Sequence, residues 1–291
     1  MNTSFSITRL HKTFGVIVEG LKLSDLNNSQ TDELYKLWLE HHLLIFPNQH
    51  LSHEEQIKFA KLFGEMEFDI TPISNVRKDG SIRDPVDDDV VKSLRGNMEW
   101  HHDSTYMPIQ AKGSVFTAHQ VPAKGGETGW ADMTSAYEAL DQDMKDKIEG
   151  LSAYHSYTYS QAKYKHKPQK ESEFSGYGFD VDPPPFRPLV KTHPETGKKS
   201  LLIGRHAYGI PGMTKEESKS LLDELNNFAC QGDRVYHHSW KVGDAVIWDN
   251  RNLMHQACTW DLTEARVMSV SYTHLRAHET SLHLVCRLLL E

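Results

Sequence analysis

Short runs of hydrophobic and polar residues alternate along this chain, with helical periods between them. FGVIVEGLKLS, Phe14 to Ser24, is β-branched and alternating and predicts a strand. SQTDELYKLWLEHH, from Ser29, sets Leu34, Leu37 and Trp38 at helical spacing. It predicts an amphipathic helix capped by Ser29, with Asp32 three residues on. LLIF, Leu43 to Phe46, reads as a short buried strand stopped by Pro47. SHEEQIKFAKLFG reads as a second helix, with a Ser52/Glu55 capping box and Gly64 as its stop. SNVRKDGSIRDPVDDDV is polar and aperiodic and predicts a mobile loop. Gly113 to Val121 is strand-like, and DMTSAYEALDQDMKDKIEGL predicts one helix ending near Gly150. PETGKKSLLIG predicts a hairpin with its turn near Gly197 and a strand from Ser200 to Ile203. Thr214 and Glu217 cap a last helix that buries Leu221, Leu222, Leu225 and Phe228. DAVIWDNRNLMHQA predicts two strands joined by an Asp-Asn-Arg turn. KYKHKPQKESEFSGYGFDVDPPPF is a long irregular insert, of the kind that is functional or disordered inside a compact domain.

Many short strands, helices before and between them, and few strand–helix–strand repeats predict a mainly β fold with flanking helices. An antiparallel jelly roll fits this order better than a doubly wound parallel sheet. With 291 residues, no linker and no repeat, one large domain is expected. Forty acidic residues against 32 Lys and Arg give a formal net charge of −8, the wrong sign for a nucleic-acid track. No apolar stretch is long enough to span a membrane, and MNTSFSITRLHKTFG has no signal-peptide core. Cys230, Cys258 and Cys286 form no CxxC pair, which predicts a reducing, cytoplasmic setting without structural zinc or disulfides. Whether the chain forms a homo-oligomer is left open.

The chemistry concentrates in EWHHDSTYMP, Glu99 to Pro108. On a strand, side chains alternate, so His101 and Asp103 share one face while His102 and Ser104 share the other. An imidazole and a carboxylate two residues apart are half of a metal site. A jelly roll can bring the rest from far downstream, and His255, just after the DNR turn, is the best candidate. One Asp and two His make the facial triad of non-haem Fe(II) oxygenases, which leaves coordination positions open. His102, His41, His42, His237 and His238 read as surface or packing residues.

WHHDST, GGETGWADMTSAYEAL and IWDNRNLMHQACTWDLTEARVM together resemble the taurine dioxygenase and 2,4-dichlorophenoxyacetate dioxygenase family. The likeness runs from about Ile7 to Met268 and is greatest to the 2,4-dichlorophenoxyacetate branch. It implies a double-stranded β-helix (jelly roll) and dependence on Fe(II) and 2-oxoglutarate. The implied reaction is O₂-dependent hydroxylation of a small anionic substrate, aryloxyalkanoate- or sulfonate-like, with release of succinate and CO₂. Residue by residue, the resemblance implies His101, Asp103 and His255 as iron ligands. Thr128 would bond one carboxylate of 2-oxoglutarate and Arg266 would clamp the other. Asn97 would touch substrate, and Trp100 and Trp248 would wall the pocket. Glu67 and Asp69 stand where taurine-type enzymes use His and Tyr, so taurine itself is not the expected substrate. A zinc hydrolase on the same triad and a non-catalytic metal-binding jelly roll are the alternatives. Neither needs the Thr128 and Arg266 clamp.

The last stretch fits none of this. VSYTHLRAHET back-translates readily to a transposase-type sequencing-library adapter, and LVCRLLLE resembles the flow-cell end of the same adapter. Residues 1–268 are therefore expected to form the single dioxygenase domain, C-terminally truncated, and 269–291 to be a non-native tail. Family members carry a second Arg four residues after the 2-oxoglutarate Arg, where it holds the substrate anion. Here that position is Val270.

Overall fold

The computed structural model describes residues 5–68, 70–167 and 176–274. Strands β1 (Ser6–Arg9) and β2 (Val16–Glu19) precede helix α1 (Asn28–His41), and β3 (Leu43–Phe46) precedes α2 (His53–Ala60). β4 (Glu65–Met66), β5 (Thr71–Ser74) and α3 (Asp89–Gly96) lead to the long β6 (Gly113–Gln120) and to β7 (Thr128–Asp132). Next come α4 (Met133–Ala139), α5 (Gln142–Ile148), β8 (Ser152–His155) and α6 (Tyr157–Ala162). The short strands β9 (Phe186–Pro188), β10 (Val190–Thr192), β11 (Lys199–Leu201) and β12 (Ala207–Tyr208) precede α7 (Lys215–Ala229). β13 (Val235–His238), β14 (Ala245–Asp249), β15 (Leu253–Ala257) and β16 (Val267–His274) complete the order.

The largest sheet runs β1-β2-β3-β14-β6-β16-β4, with β5 also on β16, and is antiparallel apart from the β2–β3 pair. β13-β7-β15 form a second antiparallel sheet. The two pack face to face through Phe116, Val246, Trp248, Met268 and Val270 on one side and Trp130 and Leu253 on the other. Trp130 and Trp248 meet edge to face at 5.8 Å, a geometry worth about 0.5–1.5 kcal/mol beyond burial.

The unbroken apolar run of β3 follows from burial on both faces. Leu43 and Ile45 point between the sheets. Leu44 and Phe46 point outward, under Leu34 and Trp38 of α1 and Phe59 of α2. Helices α4 and α7 cover the far side of the small sheet, with Leu221, Leu222 and Leu225 against Ala131 and Met254. The result is mainly β with flanking helices. No helix among the described residues is long and apolar enough to cross a membrane.

Several expectations need correcting. Helix α1 starts two residues early, because Asn27 and Gln30 form the capping box that was assigned to Ser29 and Asp32. The Ser52/Glu55 box is present, but α2 ends at Ala60, before Gly64. The expected mobile loop runs at its end into the first turn of α3, which no pattern predicted and which is capped by the Asp88 side chain on the Val90 and Val91 amides. Its eight residues are too few to establish a helical period, although Val91 and Leu94 are buried three residues apart. The expected single helix is broken at Leu140, where Asp141 caps a new one through the Met144 amide. β14 and β15 do not pair with each other. β14 lies in the large sheet and β15 in the small one, so the DNR turn crosses between them.

The boundary expected at Met268 falls inside β16. Ser269, Ser271 and Thr273 are buried, and the Thr273 hydroxyl donates to the Gly113 carbonyl at 3.1 Å. Pairing with β6 continues to Thr273. Residues 275–291, the rest of the expected tail, and Cys286 within it lie outside the described residues.

Candidate active site

His101 does not sit in a regular strand. It forms a single antiparallel bridge with His255, exchanging both backbone hydrogen bonds at 3.0 and 2.8 Å. Directly bridged residues project their side chains to the same face. The two imidazoles therefore stand together, ring centroids 4.2 Å apart. The chain then turns at once, with Ser104 at φ 54°. Strand alternation thus does not place Asp103. Asn250 does, from the turn between β14 and β15. Its carboxamide oxygen accepts from the Asp103 amide at 2.8 Å, and its NH₂ donates to the Asp103 carbonyl at 2.9 Å.

Asp103 Oδ1 lies 3.9 Å from His101 Nε2 and 3.6 Å from His255 Nε2. One donor atom from each residue lies within 4.8 Å of the other two, the only such group of three among the described residues. The second carboxylate oxygen accepts from the Ser114 hydroxyl at 2.8 Å. His101 Nδ1 lies 2.7 Å from the Glu99 carbonyl, so Nδ1 carries the proton and Nε2 faces Asp103 with a free lone pair. His255 is held by packing, with the Trp248 ring 4.7 Å away. Burial keeps both imidazoles neutral: it pushes His101 well below the ordinary value and His255 down to about 3. Burial also raises Asp103 to about 6. A carboxylate and two neutral imidazoles, desolvated, converge here. A divalent metal fits that donor set.

Arg266 is buried in the same cavity. Its Nε donates to the Gly126 carbonyl at 3.1 Å, and its guanidinium lies 5.2 Å from the Trp260 ring. Its Nη2 has no partner among the described residues. Gly126 makes room for this side chain: it takes φ +71°, and a Cβ there would stand 3.2 Å from Arg266 Nε. Thr128 lines the cavity from β7, and its hydroxyl oxygen accepts from the Trp240 indole at 2.9 Å. The hydroxyl proton is then free to be donated into the cavity. A buried cation with an open N–H and a hydroxyl with an open O–H suit a dicarboxylate.

The cavity measures about 540 Å³ and opens between the two sheets. Aromatic side chains dominate its wall, among them Phe68, Tyr106, Tyr177 and Tyr272. Asn97, at the end of α3, lines it as expected, and so do Trp248 and Val270. Trp100 does not; it packs beside His237 and Gly129 in the core behind the small sheet. His102 is buried, with Nδ1 2.8 Å from the Asn250 carbonyl, and faces away from the triad as expected. His42 is likewise buried, and His237 is exposed. Glu67 meets Ser104, Tyr177 and His274 beside the cavity, while Asp69 lies outside the described residues. The end of the long insert supplies Tyr177 and Asp180 to the wall.

Asn250, Ser114 and Trp240 are missed by sequence reasoning. Ser114 is visible only as one of several polar residues in the strand GSVFTAHQ. Asn250 is visible only as a turn residue.

The family described as "Taurine catabolism dioxygenase TauD, TfdA family" matches residues 6–272. An (S)-phenoxypropionate/alpha-ketoglutarate-dioxygenase of Sphingobium herbicidovorans is 56% identical over 270 residues, spanning 92% of this chain and 94% of the relative. An alpha-ketoglutarate-dependent 2,4-dichlorophenoxyacetate dioxygenase of Cupriavidus pinatubonensis is 34% identical, spanning 88% of this chain and 93% of the relative. Among solved structures, AAD-2 in complex with Mn(II) and N-oxalylglycine superposes with a TM-score of 0.86 at 34% identity, covering 94% of this chain and 98% of that one.

Proposed function

The chain belongs to the TauD, TfdA family of dioxygenases, and from that premise we propose an Fe(II)- and 2-oxoglutarate-dependent dioxygenase acting on 2-aryloxyalkanoates. The observation that carries the proposal is one cavity holding both a desolvated His101–Asp103–His255 cluster and the open guanidinium of Arg266. The first would hold the metal and the second the distal carboxylate of 2-oxoglutarate. Thr128, its acceptor side occupied by Trp240, would donate to a 2-oxoglutarate carboxylate. A hydrolase using the same triad has no need of Arg266. The facing sheets with the cavity between them support the double-stranded β-helix reading.

Bound Fe(II) with 2-oxoglutarate supplies the oxidising chemistry, converting 2-oxoglutarate and O₂ to succinate and CO₂ with transfer of one oxygen to a substrate C–H. The protein's own part is binding and exclusion of water. Phe68, Tyr106, Tyr177 and Tyr272 suit an aryl ring by edge and face contacts. Asn97 offers a polar contact to the substrate. Hydroxylation at the carbon bearing the ether oxygen gives a hemiketal that fragments to a phenol and a 2-oxo acid.

Relatives at 56% and 50% identity are both (S)-phenoxypropionate enzymes, which supports the (S)-2-aryloxypropionates as the preferred substrates. The test is succinate and phenol release across (S)- and (R)-2-aryloxypropionates, 2,4-dichlorophenoxyacetate, an alkyl sulfate and taurine. Equimolar succinate and phenol with the (S)-ethers is expected. Turnover of taurine or the sulfate alone would overturn the assignment.

A further inference from the structure

We infer that Asn250 is a positioning residue for the metal centre: its side chain sets where Asp103 stands relative to His255. The inference rests on the iron reading given above.

Asp103 follows a one-residue bridge and precedes a residue in the left-handed region, so no sheet ladder fixes its backbone. Asn250 replaces the ladder. It takes the Asp103 N–H and gives an N–H to the Asp103 carbonyl, as a neighbouring strand would. A further N–H of the same carboxamide donates to the Ala111 carbonyl at 2.8 Å, which fixes the plane of the group. The Asn250 backbone carbonyl lies 2.8 Å from His102 Nδ1. Residues 102 and 103 are therefore both held by residue 250, and Asn250 itself is fully buried.

The position of Asn250 explains why a side chain is used. β14 belongs to the large sheet and β15, which carries His255, to the small one. The crossing turn is fixed to both sheets and is adjacent to Asp103. The His101–His255 bridge and the Asn250–Asp103 clamp then both join the segments that carry the triad. Ser114 from the large sheet orients the carboxylate itself. A carboxamide carries an acceptor oxygen and a donor nitrogen side by side, which matches the two backbone groups of Asp103. Losing outer partners of this kind commonly weakens metal binding 10- to 100-fold.

Asn252 is the internal control. It lies in the same turn and is equally buried, but its side chain serves His42 and Thr134 on the opposite side. The experiment measures Mn(II) affinity of the whole chain by electron paramagnetic resonance for wild type, Asn250→Ala, Asn250→Asp and Asn252→Ala. Hydrogen exchange at the Asp103 amide and melting temperature are read in parallel without metal. Both Asn250 variants should bind Mn(II) roughly 10- to 100-fold more weakly. Asn250→Asp keeps the acceptor but loses the donor, so the Asp103 amide stays protected while affinity falls; in Asn250→Ala both are lost. Asn252→Ala should lower the melting temperature and keep wild-type affinity.

Wild-type affinity in both Asn250 variants would overturn the inference, as would an equal loss in Asn252→Ala. If Asn250→Ala does not fold, Asn250→Asp decides alone. Absence of Mn(II) binding by the wild type would instead bring down the metal reading itself.

Discussion

A guanidinium buried without a directly paired carboxylate is costly to build, and Arg266 is one among the described residues. Burial lowers its pKa to about 10, and its Nη2 is left open. Such a group is stable once an anion arrives. Arg266→Gln keeps hydrogen-bonding capacity but loses charge and fork geometry. Removing one partner of a desolvated charged pair costs about 2–5 kcal/mol. That corresponds to roughly one and a half to three and a half decades in 2-oxoglutarate affinity. Titration of 2-oxoglutarate into the Fe(II) protein without oxygen should show this loss with metal affinity unchanged; equal affinities would remove Arg266 from the cosubstrate site. Trp240→Phe should weaken 2-oxoglutarate by a smaller factor, about 3- to 10-fold, since it loses one neutral hydrogen bond that orients Thr128. No change in that titration would leave Trp240 a packing residue. The triad and Arg266 are legible in the sequence because H-x-D, GGET, DNR, His and Arg stand in order. Trp240 and Asn250 are not, because their roles are hydrogen bonds to residues 112 and 147 positions away.

Among the elements, the turn between β14 and β15 carries the most. Inside it Asp249 takes a bidentate pair from Arg251 at 2.8 Å, with His193 Nε2 at 3.0 Å, all buried. Although burial opposes ionisation, Arg251 holds the Asp249 carboxyl far below the usual range. A depressed folded-state pKa stabilises the protein above the unfolded value, near 3.9, and that stability is lost as pH falls toward the folded value. Melting temperature followed from pH 6 to 3 should therefore fall most steeply below about pH 4. Asn at 249 cannot ionise, so Asp249→Asn should start lower at pH 6 and show a shallower acid limb. Breaking a buried pair typically costs about 3–5 kcal/mol. Parallel acid limbs for the two proteins would contradict the assignment. The two strands around this turn were legible from LLIF-like apolar runs and DNR. Their membership of different sheets was not, because pairing partners lie far off in sequence. Helix α3 was hidden for a local reason: eight residues give barely two turns of pattern.

At the scale of the whole molecule, the cavity between the sheets has an aromatic wall and one fully buried guanidinium, already committed to the cosubstrate in this account. Val270 lines it where the family resemblance expects the substrate-binding Arg. Val270→Arg should raise kcat/KM for aryloxypropionates by about tenfold or more, as expected for one new charge-assisted contact of about 1.5–3 kcal/mol. No gain for any carboxylate or sulfonate would show that this face does not contact the anion. The mainly β architecture was legible from strand density, whereas the extent of β16 was not, because its last residues belong to the adapter-like stretch. We propose that residues 275–291 add nothing to the domain. Deleting them should leave the melting temperature within about 1 °C, and a fall of several degrees would contradict this.

The central claim is that His101, Asp103, His255 and Arg266 form one Fe(II)/2-oxoglutarate site. The most direct measurement is anaerobic visible absorption on adding Fe(II) and then 2-oxoglutarate. A weak charge-transfer band that saturates at about one equivalent of iron is expected in the wild type. It should be absent from His101→Ala, Asp103→Ala and His255→Ala, and kept by His102→Asn, which preserves a donor to the Asn250 carbonyl. A wild type without the band, or a band that survives loss of His255 and disappears with His102, would contradict it.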